Sequence, residues 1–315
     1  MEEKKFINKF RPENLDEIIG HKSVIKAIKK SIAKEELDHS ILLYGYFGIG
    51  KTTLARIIAK ETKAIEKNII EIDSGANNGV EFVKELVENL KHPAFGGNNT
   101  KVVIIDEIQN LASDKAWTSL FKIMEEPPKH LYFILCTSEF SRVPEAIKRR
   151  CSKFYLKSID TDTMIEYIKT ICKKEDIDLE EDSIDLIVNK SNGSIGVALG
   201  YLSTVRYATT EKEVEELLEE VVSNEQVGNL CKVLANPDKY NYTKAKYIIK
   251  DLKGLNPESI RIQIINYITA CLLNSKGKEE LKFLSILQSF INPFPYQTGF
   301  ANLLLAVADV FYEKE

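Results

Sequence analysis

Residues 45–52 read Gly-Tyr-Phe-Gly-Ile-Gly-Lys-Thr, which is the spacing G-x-x-x-x-G-K-[ST]. Glycine at Gly45, Gly48 and Gly50 lets the backbone wrap closely and turn its N–H groups inward. The helix expected to open at Thr52 adds its own N-terminal N–H groups, a ready site for an anion. Chemistry of this kind suits the phosphates of a nucleotide. Lys51 supplies a point charge to the β- and γ-phosphates and Thr52 a hydroxyl to Mg²⁺, with Ile49 and Thr53 completing the lining. The competing reading is a glycine-rich surface turn with an exposed lysine. The context weighs against it, because an apolar run precedes the loop and an amphipathic one, Thr52 to Lys60, follows it.

A second constellation follows at Lys101-Val-Val-Ile-Ile-Asp-Glu. Asp106 ends an apolar strand on the same sheet edge as the loop, where open α/β sheets bind ligands. Its carboxylate is placed to hold Mg²⁺, directly or through water. Glu107 is placed to orient and polarise an attacking water. A plain strand-end turn is the alternative, and the presence of the first motif makes it the weaker one.

The elements that must position these groups are legible as short apolar runs. Ile41–Tyr44, Ile69–Ile72, Val102–Ile105, Leu131–Cys136 and Phe154–Leu156 suit strands covered on both faces. Between them residues 80–90 put Val83, Leu86, Val87 and Leu90 on one helical face. The expected fold class is an α/β layer with a mostly parallel sheet over 1–156. Beyond Leu156 the strand signals stop. Helices are expected at 161–174, 181–190 and 194–208, a small domain over 157–208. Further helices near 211–222, 225–235, 242–252, 257–273, 279–291 and 297–312 fill an all-helical domain over 209–315. Asn256-Pro257 is a helix-start signal, a capping side chain followed by proline at the first helical position.

The 315 residues suffice for two or three cores, and 44% hydrophobic with 29% charged residues is ordinary globular chemistry. Five scattered cysteines and four histidines form no disulfide or zinc pattern. No apolar run is long enough to cross a bilayer and no signal-peptide pattern opens the chain, so a cytoplasmic location is expected. A net charge of -4 neither supports nor excludes nucleic acid, since local field shape matters more than the total.

Several further stretches resemble the AAA+ ATPases, and among them the ATPase subunits of DNA sliding-clamp loaders. Lys9-Phe10-Arg11-Pro12 and Leu15-Asp16-Glu17-Ile18-Ile19-Gly20-His21 resemble the family's opening segment, with His21 where glutamine is usual. Residues 72–80, Ile-Asp-Ser-Gly-Ala-Asn-Asn-Gly-Val, and residues 120–130, Leu-Phe-Lys-Ile-Met-Glu-Glu-Pro-Pro-Lys-His, resemble the bacterial gamma/tau subunit. Arg149-Arg150-Cys151 resembles the family's Ser-Arg-Cys signature. The resemblance covers about residues 5–205. It implies a phosphate-loop AAA+ core, a small helical lid and an all-helical collar domain that joins subunits. It implies ATP and Mg²⁺ as cofactors, with Thr52 and Asp106 at the metal and Phe10, Arg11 and Pro12 near the adenine. Ser138 falls on the polar sensor of the γ-phosphate, with Thr137 as its neighbour. Arg150 falls on the arginine finger that enters an adjacent subunit's ATP site.

Three features depart from the family pattern. Arg149 stands where serine is usual, and Gly196 stands where the lid helix normally carries an arginine. The zinc-binding cysteines of bacterial gamma/tau subunits are absent. The partners implied are a sliding clamp, other loader subunits in a pentamer, and primer–template DNA held without sequence reading. Lys84, Ser113 and Lys115 lie near the helix starts that face DNA in the family. Two other readings remain open on sequence. Gly196 is shared with the stator-like subunits, which would make the chain a catalytically weak structural member. The opening segment is also similar in branch-migration helicases, although residues 209–315 show no hairpin for the β-wing of their winged-helix domain.

Overall fold

The computed structural model describes residues 2–74, 79–96, 100–111, 113–253, 255–294 and 298–312. The chain divides into two compact units, Met1–Val214 and Glu215–Glu315.

The first unit opens with α1 (Glu2–Lys9) and α2 (Lys22–Ala33). It then alternates β1 (Ser40–Gly45), α3 (Lys51–Glu61), β2 (Ile69–Asp73), α4 (Val80–Lys91), β3 (Lys101–Asp106), α5 (Asp114–Glu125), β4 (Leu131–Thr137), α6 (Glu145–Lys148) and β5 (Ser152–Leu156). Helices α7 (Thr161–Glu175), α8 (Glu181–Lys190) and α9 (Ile195–Val205) close it. The five strands form one sheet in the order β2-β3-β4-β1-β5, every neighbouring pair parallel.

The continuous apolar strands follow from burial on both faces. Successive side chains alternate between two cores. Val102, Ile104, Ile134 and Cys136 join Ile41 and Leu43 on the face covered by α2 and α3. Val103, Ile105, Phe133 and Leu135 join Leu42 on the face covered by α4 and α5. Phe133 is fully buried, and withdrawing a side chain of that size from water is worth roughly 1.5–3 kcal/mol. β4 lies between β1 and β3, so its end falls between the phosphate loop and the acidic pair. Helix α2 carries no strong start signal. His21 before α2 is left-handed and makes no side-chain cap.

The remaining helices are α10 (Glu211–Leu234), α11 (Tyr242–Asp251), α12 (Pro257–Leu273), α13 (Lys278–Phe290) and α14 (Gly299–Tyr312). The division between units falls inside α10, past the boundary expected near 208. Two helices expected at 211–222 and 225–235 are one. Serine and asparagine at 223–224 cost under about 0.7 kcal/mol each in a helix, less than leaving two extra helix ends unsatisfied. The second unit has its own core, with Leu230, Leu234, Ile264, Ile268, Phe290 and Leu303 at its centre. Asn256 caps α12 as expected, accepting from the Glu258 N–H at 2.9 Å. Arg261 is buried and donates to the Phe290 and Ile291 carbonyls at the end of α13, which satisfies carbonyls that have no helical partner.

Candidate active site

β1 hands the chain to a loop that turns directly into α3, and the loop is packed from above by the lid helix α9. Gly48 has φ 71, and a Cβ there would lie 2.3 Å from Ser194 Oγ. The Gly196 N–H donates to the Gly48 carbonyl at 2.8 Å. A Cβ on Gly196 would meet that carbonyl oxygen at 3.1 Å and Gly48 Cα at 3.3 Å. Glycine at 196 therefore has a positive role in this chain: it lets the start of α9 sit on the loop's backbone.

Lys51 is 4% exposed. Its Nζ donates to the Gly45 and Tyr46 carbonyls at 3.0 and 2.8 Å. Burial lowers its pKa, opposed by Glu107, Cys136 and Asp106. The Thr52 hydroxyl donates to Asp106 Oδ2 at 2.7 Å. Burial raises the Asp106 pKa, and the Thr52 hydrogen bond acts against it. The two oxygens expected to serve a metal thus lie side by side.

Glu107 leaves β3 with φ 47 and ψ 46, a left-handed conformation uncommon for this residue type. Its Oε2 accepts from Ser138 Oγ at 2.7 Å, from the Ser138 N–H at 3.3 Å and from Gln109 Nε2 at 2.5 Å. Burial works against its ionisation, and the bonds from Gln109 and Ser138 together with the Lys51 charge more than compensate, leaving its pKa below the ordinary value. Thr137 is fully buried and donates to Gln109 Oε1 at 2.6 Å. Gln109 belongs to no motif in the sequence. In the chain it is one of two adjacent polar residues, Gln109 and Asn110, between Ile108 and Leu111.

Phe10, Arg11, Pro12, Gly48, Ile49, Gly50, Lys51, Thr52, Thr53, Asp106 and Glu107 line one cavity of about 400 Å³. Ile18 and Ile19 of the opening segment supply apolar walls, joined by Tyr167, Ile195 and Leu199 from the helices after β5. The Tyr167 hydroxyl donates to the Phe10 carbonyl at 3.2 Å, tying α7 to the opening segment. His21 Nε2 lies 3.3 Å from the Ile49 carbonyl, so this residue meets the phosphate loop. Apolar walls at one end and a buried lysine with paired oxygens at the other suit a nucleotide.

Mg²⁺ fits the polar end on the chemistry of its donors. A hydroxyl and a carboxylate are hard oxygen ligands, and Mg²⁺ is commonly held by one or two such groups with substrate phosphates and water. Among the described residues no cluster of three or more His, Cys, Asp or Glu side chains forms a metal cage, and a site of that kind needs none.

The remaining expected residues lie elsewhere. Arg150 donates to Glu125 Oε1 at 2.8 Å and to the Ala146 carbonyl at 3.1 Å, with its guanidinium 4.0 Å from the Phe121 ring centre. Arg149 is more exposed and sits 3.7 Å from Glu145. Lys84 on α4 and Lys115 on α5 are exposed on two helices that pack together. Ser113 caps α5, accepting from the Ala116 N–H at 3.4 Å. Residues 75–78 of the gamma/tau-like stretch lie outside the described residues. Among the described residues no helix is long and apolar enough to cross a membrane.

Sheet, loop and lid define a phosphate-loop nucleotide-binding domain with a helical cap. A family model described as "ATPase family associated with various cellular activities (AAA)" matches residues 41–159. DNA polymerase III subunit gamma of Buchnera aphidicola subsp. Baizongia pistaciae is 30% identical over 285 residues, covering 82% of this chain and 76% of that protein. The chain belongs to the AAA ATPases and, within them, to the clamp-loader proteins of the DNA polymerase III gamma/tau group. DNA polymerase III subunit gamma/tau of Mycoplasma genitalium is 34% identical over 229 residues, 66% of this chain but only 38% of that longer protein. The solved Thermotoga maritima RuvB Holliday junction branch migration motor is 24% identical, with a TM-score of 0.56 over 71% of this chain and 79% of that one. That likeness is one of fold.

Proposed function

We propose that this chain is an ATPase subunit of a DNA sliding-clamp loader, in which ATP binding favours a state that opens the clamp and grips primer–template DNA, and hydrolysis releases both. The observation that carries the nucleotide chemistry is the single cavity joining Lys51, Thr52, Asp106 and Glu107 beneath the lid helix. Phe10, Arg11, Pro12 and the apolar walls take the adenine end. Gly45, Gly48, Ile49, Gly50 and Thr53 frame the phosphates with their backbone. Lys51 exchanges its two carbonyl partners for the β- and γ-phosphates. Thr52 and Asp106 would hold Mg²⁺, which would supply neutralisation of the charge developing on the phosphates.

Glu107 orients the water. The water's oxygen bonds to the γ-phosphorus as the bond to the β,γ-bridging oxygen breaks, ADP leaves with that electron pair, and the water's proton passes by way of Glu107 to solvent. Ser138 reports the γ-phosphate to Glu107 through their shared hydrogen bond. Arg150 serves a neighbouring subunit, and Lys84, Ser113 and Lys115 contribute to the DNA face. The loader reading draws on the gamma relative. Its alignment covers 82% of this chain, whereas Met1–Val214 makes up about two thirds of the 315 residues. The likeness therefore extends well into the helical second unit.

The fold shared with RuvB supports a second reading, a motor that moves branched DNA. Rates measured for the chain alone, then with candidate partner subunits, clamp and primed DNA, separate the two. Stimulation that requires clamp and primed DNA together is the expected result. Stimulation by four-way junction DNA alone would replace the loader reading with the second.

A further inference from the structure

Gln109 is 5% exposed, and its amide is bonded on both sides. Nε2 donates to Glu107 Oε2 at 2.5 Å and to Ser138 Oγ at 3.1 Å, while Oε1 accepts from Thr137 Oγ1 at 2.6 Å. One side chain therefore joins the residue after β3 to the last residue of β4 and the one beyond it. Among the described residues every hydrogen bond to the Glu107 carboxylate falls on the same oxygen. Oε2 receives Gln109 and both donors of Ser138, and among the described residues nothing hydrogen-bonds Oε1. A carboxylate anchored by one oxygen has its rotation fixed, with the other oxygen left for a water in the cavity that Glu107 lines. The left-handed backbone at Glu107 fits the same picture, because such a conformation persists only where surrounding contacts over-determine it.

We infer that Gln109 is a positioning residue for hydrolysis: it holds Oε2 of Glu107 so that Oε1 meets the attacking water, and it couples that setting to Thr137 and Ser138. A core polar network with no part in the reaction would use the same bonds. It would not load them all on one oxygen of a carboxylate that lines the cavity. The inference rests on Glu107 orienting the water, as proposed above.

The test uses the full chain with its partner subunits, comparing wild type with Q109E, Q109L and E107Q. Q109E keeps the volume and the Thr137 bond but removes both donations. Q109L removes all three bonds. Each protein is assayed for steady-state turnover, for ATP binding in EDTA by displacement of a fluorescent nucleotide, and for thermal melting. A misplacement of the reacting group by about 1 Å costs roughly 10²-fold, so both Gln109 variants should lose between about 10- and 100-fold in kcat. Their ATP affinity should stay within about threefold of wild type, the pattern of a group that acts on the transition state and not on binding. In the E107Q background, Q109L should lower turnover no further. If E107Q loses turnover while Q109E and Q109L keep the wild-type kcat, Gln109 does not position Glu107. A parallel loss of ATP affinity, turnover and melting temperature in both variants makes Gln109 a structural residue and overturns the inference as well. Undiminished turnover of E107Q removes the role of Glu107 itself, and the inference falls with it for that separate reason.

Discussion

The cleft around Lys51 and the surface around Arg150 both present cations, and they are built in opposite ways. Lys51 is enclosed, bonded to two loop carbonyls, and faces two carboxylates. Arg150 lies at the surface, stacked on Phe121 and paired with Glu125, whose side chain is half exposed. An exposed pair of that kind is worth about 0–1 kcal/mol, to which the Ala146 carbonyl bond and the Phe121 ring add. The cleft contains the parts of a reaction site within one unit of one chain. Under the proposed function these are two halves of one shared catalytic centre, and each can be tested separately.

The largest effect is expected at the arginine. Alanine at Arg150 should lower turnover at the adjacent subunit by about 10³-fold or more, the range for arginine fingers in other nucleotide hydrolases. Mixed assemblies, with the variant placed in one position at a time, measure it. Unchanged rates at every position would leave Arg150 as a surface ion pair. Arg149→Ala, measured alongside, tells which of the two arginines acts.

E107Q comes next. A roughly 10²- to 10⁴-fold loss of turnover is expected from removing a group that handles the reacting water, with ATP still bound. Loss of binding instead would move Glu107 from the reaction to the architecture of the cleft.

A smaller effect is expected where the lid meets the loop. G196A places a Cβ 3.1 Å from the Gly48 carbonyl, so α9 must shift by a few tenths of an ångström. ATP affinity should weaken by several-fold, a cost of order 1 kcal/mol in the range of mild overpacking, with kcat little changed. G196R bears on the stator-like alternative. If the arginine raises turnover in an otherwise slow assembly, the chain is by nature a weak hydrolase. If it lowers ATP affinity as alanine does, close packing at 196 is what the chain needs.

The smallest expected effect lies in the second unit. Bonds from Arg261 and from the Phe294 N–H lower the Glu258 pKa to about 2, against an ordinary 4.5. A carboxylate depressed on folding stabilises above the unfolded pKa and loses that stabilisation as pH falls through the folded one. The contribution to the second unit is therefore complete above about pH 4.5 and fades toward pH 2. E258Q should flatten this acid limb of thermal melting and leave nucleotide turnover unchanged. An acid limb as steep as in wild type would show that other carboxylates set it.

The sequence by itself located all five strands, the phosphate loop, the acidic pair and nearly every helix after Leu156. These signals are local: apolar runs, glycine spacing, a capped proline. α2 escaped because the residue before it, His21, makes no side-chain cap. The expected split of α10 has no counterpart in the structure, where one helix runs through Ser223 and Asn224.

Other features became visible only in the tertiary structure, because they depend on strand order and close approach between distant segments. β4 settles between β1 and β3, which brings Thr137 and Ser138 to Gln109 and Glu107 across nearly thirty positions of sequence. Gly196 reads in sequence as a missing arginine. In the folded chain its bare Cα lies against the phosphate loop. The residue types at Lys51, Thr52, Asp106 and Glu107 specify the chemistry that one cleft can perform. The orientation of those groups follows from which strands lie side by side, since hydrogen bonds between distant residues have no local signature in the chain.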